Sequence, residues 1–125
     1  NGYGTGVNGG FLGNGIGYSG DGSMVLQLTI AGQNGGQAGA NGTLFVQRYS
    51  AGCGLAPGQY MLQTVQPGIY TNADFYPPNG QGFQMIANNG MQVYVEGYLT
   101  NQQDQSGNRR MFANVNIPGC PTTFN

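Results

Sequence analysis

The segment from 91 to 100, MQVYVEGYLT, alternates apolar and polar residues, which predicts a β-strand with one buried face. Its other face carries Gln92, Tyr94, Glu96 and Tyr98. Tyrosine rings can stack on the C–H faces of sugar rings, while amide and carboxylate groups bond to sugar hydroxyls. These four residues are therefore a candidate carbohydrate-binding face. The alternative is that the tyrosines are covered by a loop, by the N-terminal segment or by another subunit.

The composition argues against enzyme chemistry. The chain has no histidine and no lysine, so the usual general bases and the partners of an activated serine are missing. Asp74 and Glu96 are the one carboxylate pair that the predicted strands could present for glycoside hydrolysis. Surface charges or acceptors for backbone N–H groups in turns are the simpler interpretation of both acids. We therefore predict no enzyme activity and no cofactor.

No metal site is predicted either. Asp104, Ser106 and Asn108 place oxygen-bearing side chains at alternate positions, as the ligands of a calcium loop are placed. The segment lacks the glycine that such loops have at their sixth position, where Arg109 stands, and it lacks the downstream acid, since Arg110 follows. A solvated hairpin loop is the better interpretation.

Cys53 and Cys120 are the only cysteines in the chain. An even pair in a small, polar-surfaced chain favours a disulfide bond and an oxidising compartment. Such a bond would close a long loop and stabilise the fold by about 4 kcal/mol through the entropy of the unfolded chain. Two buried free thiols are the alternative.

Charged residues make up only 6% of the 125 residues, against about 25% in ordinary soluble proteins. With a net charge of −1, copies of the chain repel each other little and are expected to associate. Three arginines cannot form the basic surface that nucleic acid requires. No apolar stretch is long enough to span a membrane, and there is no signal-peptide pattern. We expect an extracellular or cell-surface protein whose signal peptide has been removed.

Ten of the first 23 residues are glycine, with apolar side chains spaced among them. Glycine loses more conformational entropy on ordering than any other residue, so an ordered segment of this kind needs a partner. An extended arm that adds to a sheet edge would supply main-chain hydrogen bonds and side-chain pockets. A flexible tail is the alternative. The residues predicted to form the contacts of the arm are Tyr3, Val7, Phe11, Leu12, Ile16 and Tyr18.

The remainder shows six to seven short strands separated by turn signals, a spacing typical of sandwiches and barrels. We expect an all-β fold: an antiparallel β-sandwich of the jelly-roll or immunoglobulin-like type over 24–125, with residues 1–23 as a glycine-rich N-terminal arm. Residues 31–42 are predicted to be a polar loop with a turn at Asn41-Gly42. Residues 121–125 are predicted to be a tail.

Two functions fit these observations. The first is a secreted structural subunit that assembles with copies of itself into a filament, a pilus-like fibre or a surface layer, using the N-terminal arm. The low charge, the cysteine pair and the absence of catalytic groups favour it. The second is an extracellular carbohydrate-binding module that uses the tyrosine face of the 91–100 strand.

Overall fold

The computed structural model describes residues 10–33, 37–50 and 52–125. These residues form eight strands and no helix, so the prediction of an all-β, antiparallel fold is confirmed. In the same residues, no helix is long and apolar enough to cross a membrane. The strands are β1 (Phe11–Tyr18), β2 (Met24–Gln33), β3 (Gln37–Val46), β4 (Gly58–Gln66), β5 (Phe83–Ala87), β6 (Gln92–Gln103), β7 (Arg109–Ile117) and β8 (Cys120–Phe124).

The eight strands form one sheet whose first and last members meet. Each strand pairs antiparallel with the next one along the chain. In addition, β1 lies parallel to the start of β7, with Gly15 opposite Arg109. At the other end of β1, Tyr18 and Asn125 exchange two backbone hydrogen bonds, of 3.0 and 2.9 Å. The fold is therefore a single sheet that closes on itself, and the two-layer sandwich expected from the strand spacing is not confirmed.

The interior of the closed sheet is filled by the inward-facing residues of β2 to β8. Period-two alternation places apolar side chains inside along β2, β5, β6 and β7, whereas β4 and β8 each bury one, Leu62 and Phe124. The long connection between β4 and β5 also contributes Phe75, whose ring stacks on that of Phe83 with the centroids 4.8 Å apart. Fully buried side chains include Leu26, Leu28, Ile30, Met85, Val95, Met111 and Phe124.

The inward face of β1 consists of Gly13, Gly15 and Gly17, and Ile16 and Tyr18 face outward. Leu12, at the irregularity between Phe11 and Gly13, is partly buried and packs against the core. A Cβ atom added to Gly15 would lie 2.6 Å from Cδ2 of Leu99 and 2.7 Å from Sδ of Met111. The side chains of β6 and β7 thus occupy the space that β1 leaves empty. Of the residues predicted to form the arm, Phe11, Leu12, Ile16 and Tyr18 lie in β1, while Tyr3 and Val7 lie outside the described residues. The expected division at residue 23 falls in the connection between two paired strands.

A disulfide bond joins Cys53 to Cys120, as predicted, with their Cα atoms 4.9 Å apart. It ties the connection between β3 and β4 to the start of β8. The prediction of a tail over residues 121–125 is wrong, because β8 pairs with β7 and buries Phe124 completely.

The predicted loop over residues 31–42 is also wrong, because β2 continues to Gln33 and β3 begins at Gln37. Gly42, interpreted as a turn residue, lies in the middle of β3 between Leu28 and Leu62. A Cβ atom there would overlap the carbonyl oxygen of Gln27. The glycine therefore permits a close approach of two strands, and the Asn-Gly pair marks no reversal of the chain.

Candidate functional site

A groove crosses the outer surface of β6, β7 and β8, between two rows of outward-facing side chains. One row runs from Glu96 through Asn114 to Thr123, and the other begins at Tyr94. The groove has a volume of about 230 Å³. We call it the Glu96 groove. Its lining consists of Tyr94, Glu96, Asn114, Val115, Asn116, Pro121, Thr122 and Thr123.

The rim of this groove carries hydrogen-bonding groups of both kinds. The hydroxyl of Thr123 donates to Oδ1 of Asn114 at 2.9 Å, which leaves the amide N–H groups of Asn114 for a ligand. Asn114, on β7, is the cross-strand neighbour of Glu96 on β6, whose carboxylate can only accept hydrogen bonds. Adjacent donors and acceptors of this kind match the paired hydroxyls of a sugar ring.

Tyr94 is held in place by the segment that enters β5. The backbone N–H of Gly82 donates to the Tyr94 hydroxyl oxygen at 3.2 Å, so the hydroxyl hydrogen can be donated elsewhere. Partial burial raises the pKa of Tyr94, and the negative charge of Glu96 raises it further. The hydroxyl therefore remains a protonated donor beyond its ordinary pH range.

Aromatic side chains border the groove on one side. Tyr98 stacks on Phe112 of the neighbouring strand, with the ring centroids 5.2 Å apart and the planes 24° apart. Tyr76, from the connection between β4 and β5, meets Phe112 edge-on at 6.3 Å. Tyr98 remains 41% exposed and Tyr76 36% exposed, so both rings can contact a ligand.

Asp74 lies beside this cluster but serves the local turn. One of its carboxylate oxygens accepts from the backbone N–H of Tyr76 at 2.8 Å, and the other accepts from the side-chain amide of Asn79 at 3.0 Å. Its backbone is bridged to Tyr98 of β6. Asp74 is thus a turn acceptor, which matches the simpler interpretation of this acid.

The four residues of the predicted ligand face are all on the outer side of β6, but they do not act as one set. Tyr94 and Glu96 line the groove, and Tyr98 belongs to the neighbouring aromatic cluster. Gln92 is exposed, pairs with Ile86 of β5, and is not part of the groove lining. Tyr94 is partly covered by the segment that enters β5, where Gly82 N–H donates to its hydroxyl, whereas Tyr98 is exposed in the described residues.

Sequence reasoning missed the contribution of β7 and β8. The segment MFANVNI alternates so that Phe112, Asn114 and Asn116 share the face opposite the core, and this signal could have identified them. Alternation does not identify Thr123, because its short segment, PTTFN, predicts a tail. The contact of Tyr76 with Phe112 could not be predicted either, because it depends on the path of the long connection between β4 and β5.

A second groove crosses the outer surface of β2 to β5 and contains no charged residue. Its volume is about 620 Å³. We call it the neutral groove. Asn41 and Gln63 are exposed cross-strand neighbours in it, next to the exposed side chain of Met61. It has no aromatic ring in its lining, which consists of Thr29, Asn41, Gly42, Thr43, Met61, Leu62, Gln63, Ile86, Ala87 and Asn88.

The loop that resembled a calcium site is held by its own groups. The backbone N–H groups of Ser106 and Asn108 both donate to Oδ1 of Asp104, at 2.9 and 3.0 Å. Within the described ranges, no three side chains of histidine, cysteine, aspartate or glutamate lie together as a metal site would require.

Comparison with known proteins gives no significant similarity: no family model, no curated protein and no solved structure matches the chain.

Proposed function

We propose that this protein is an extracellular carbohydrate-binding module whose binding face is the Glu96 groove together with the Tyr98 side chain. The observation that supports it is the arrangement of Glu96, Asn114 and Thr123 in one cross-strand row beside exposed aromatic rings. A carboxylate, an amide and a hydroxyl provide acceptors and donors in sequence, and the rings offer surfaces for sugar C–H groups. The disulfide bond is consistent with an extracellular location.

The size and shape of the groove favour a short stretch of a glycan chain over a large, enclosed ligand. Enclosed small-molecule pockets span about 300–1,000 Å³ and cover most of their ligand. The Glu96 groove is smaller, at about 230 Å³. Such a site contacts one or two rings of a longer polymer while the rest of the chain remains in solvent.

A glycan array followed by calorimetric titration tests this function. We expect a ligand on the array, and we expect Tyr98→Ala combined with Asn114→Ala to weaken its binding at least about tenfold, equivalent to about 1.4 kcal/mol. Met61→Ala combined with Gln63→Ala, in the neutral groove, is the matched control and should leave the affinity unchanged. The proposal fails if no glycan binds, or if the two double variants weaken binding equally.

Self-association is a second candidate function, and one specific feature favours it. The outward face of β1 carries Phe11, 61% exposed, and Tyr18, 51% exposed. Exposed apolar surface in a chain with so few charges favours contact with another copy. However, β1 already makes main-chain bonds within its own sheet, so the contact would use side chains rather than a shared strand edge.

Sedimentation at increasing concentration and electron microscopy test this second function. Phe11→Ser with Tyr18→Ser should shift the protein toward monomer, whereas Tyr49→Ser, which removes an aromatic side chain that is 62% exposed outside β1, should not. Deleting residues 1–9 leaves β1 intact and tests the glycine-rich segment separately. A protein that stays monomeric at high concentration in all forms would rule this function out.

A further inference from the structure

The Glu96 groove and the aromatic cluster beside it carry two carboxylates. Glu96 lies two residues before Tyr98 on the same face of β6. Asp74 lies directly opposite Tyr98, because Phe75 N–H donates to the Gly97 carbonyl and Leu99 N–H donates to the Ala73 carbonyl, each at 2.8 Å. This pattern defines a pair without mutual backbone bonds, in which facing side chains are closest. Tyr98 is thus flanked by negative charge both across and along the sheet.

Among the described residues, no arginine donates a hydrogen bond to Glu96 or Asp74, although Arg110 lies on the same outer face of β7, two residues before Phe112. The chain contains three arginines and no lysine or histidine. Arg48 donates to the carbonyl oxygen of Asp21. The other two arginines also donate to uncharged acceptors: Arg109 to carbonyls of β6 and to Asn101, and Arg110 to Gln102 and Asn125.

We infer that the Glu96 groove selects a glycan that carries a free, protonated amine, such as a glucosamine oligomer. This inference rests on the proposed carbohydrate-binding function and names its ligand class. An ammonium group can pair with the Glu96 carboxylate and lie near the face of Tyr98, while the ring hydroxyls bond to Asn114 and Thr123. Acetylating the amine removes its charge, and an acidic sugar would be repelled by both carboxylates.

The neutral groove provides an internal comparison for the inferred selectivity. It also crosses the outside of the sheet and is lined by amides and hydroxyls, yet it has neither a charge nor an aromatic ring. If amine recognition came from the low overall charge of the protein, both grooves would bind such a ligand. The carboxylates and rings of the β6 side predict that only the Glu96 groove does so.

The experiment compares three oligosaccharides of equal length, built from glucosamine, N-acetylglucosamine and glucose, by calorimetric titration at about pH 6, where an amine is protonated. We expect the glucosamine oligomer to bind about threefold to tenfold more tightly than the other two, as a partly exposed ion pair with a cation–π contact would give. The preference should decrease with added salt, because exposed charges are screened.

The variant Glu96→Gln should abolish this preference while the glucose oligomer still binds. Asp104→Asn, which removes one carboxylate from a distant loop, controls for net charge and should leave the preference unchanged. Equal binding of the amine and acetyl forms to the unmodified protein would overturn the inference and leave the carbohydrate function standing. If no oligosaccharide binds but a lysine-rich peptide does, and Glu96→Gln weakens it, then the carbohydrate function itself is wrong.

Discussion

The strands β1 and β6, which both pair with β7, place their large side chains on different faces of the sheet. In β6, large apolar side chains such as Val95 and Leu99 face the interior, and polar or aromatic ones face the solvent. In β1, glycines face the interior, and the larger side chains, among them Ile16, point away from it. The reason is that the interior between β1 and β6 holds one layer of side chains, which β6 and β7 supply.

This difference decides what each outer face can do. Because β6 satisfies its hydrophobic requirement inside the sheet, its outer positions are free to carry Tyr94, Glu96 and Tyr98 for a ligand. The outer positions of β1 instead carry the apolar side chains for which the interior has no room. The proposed ligand binding therefore belongs to β6, and the proposed contact between copies belongs to β1.

The strongest test of the comparison enlarges the inner face of β1. Gly15→Val should destabilise the protein by about 3 kcal/mol, the upper part of the range for overpacked cores. The first added carbon alone would lie within 2.7 Å of both Leu99 and Met111. Urea unfolding followed by circular dichroism measures the change.

The matched control changes the next residue, which faces outward. Ile16→Val should alter the free energy of unfolding by about 0.5 kcal/mol or less, as is usual for surface positions. Equal effects at Gly15 and Ile16 would contradict the assignment of inner and outer faces in β1.

The sequence predicted the elements in which apolar and polar residues alternate. The strand predicted over residues 91–100 from its period of two is seen as β6, and the expectation of several short antiparallel strands is confirmed. For β1 the sequence predicted an extended arm adding to a sheet edge, with a flexible tail as the alternative, but not the bounds of a strand, since the inward positions are glycines and carry no hydrophobic signal. The role of β1 depends on Leu99 and Met111, which approach it only after the sheet has closed.

Of the candidate site, the sequence predicted the residues on β6 but not those on β7 and β8. The outer face of β6 could be read from one strand, so Tyr94 and Glu96 were identified. The groove itself depends on the register of β7 and β8 against β6, which pairs Glu96 with Asn114 and Asn114 with Thr123. These strands follow one another in the chain, so their register is set by the connecting turns and by the irregularity between Leu99 and Gln103, which the alternation within a single strand does not encode.

A double-mutant cycle can establish that Gly15 and Leu99 share one space. Leu99→Ala alone should cost about 2–5 kcal/mol, the usual range for a buried leucine. Gly15→Ala should also destabilise, because its methyl group overlaps Leu99. The double variant should be destabilised by about 1 kcal/mol less than the sum of the two single variants, since alanine at 99 makes room for the methyl group. Strict additivity would show that the two side chains do not compete.

A smaller effect is expected on the outer face of β6. Tyr98→Ala removes a ring stacked on Phe112 at 5.2 Å, a contact worth about 0.5–1.5 kcal/mol. Truncating its neighbour on the inner face, in the variant Leu99→Ala, should lower the free energy of unfolding distinctly more. A thermal or urea unfolding comparison of the two alanine variants tests this order. If Tyr98 proves as costly as Leu99, its primary role is structural and the ligand face needs reassignment.

The smallest effect concerns how β1 is attached, since its glycines contribute little packing of their own. Asp21, in the turn from β1 to β2, accepts hydrogen bonds from Ser19 and from the backbone and hydroxyl of Ser23. The bonds from Ser23, and then that from Ser19, lower the pKa of Asp21 from 3.8 to about 2.

A lowered pKa means that the folded state favours the charged carboxylate. The stabilisation by Asp21 is therefore fully present above about pH 4, and it is lost as the pH falls through about 2. Asp21→Asn should be slightly less stable than the original protein at neutral pH, and the difference should vanish near pH 2. Urea unfolding across this range measures both proteins. A difference that persists at pH 2 would show that the turn holds β1 through the shape of the side chain rather than through its charge.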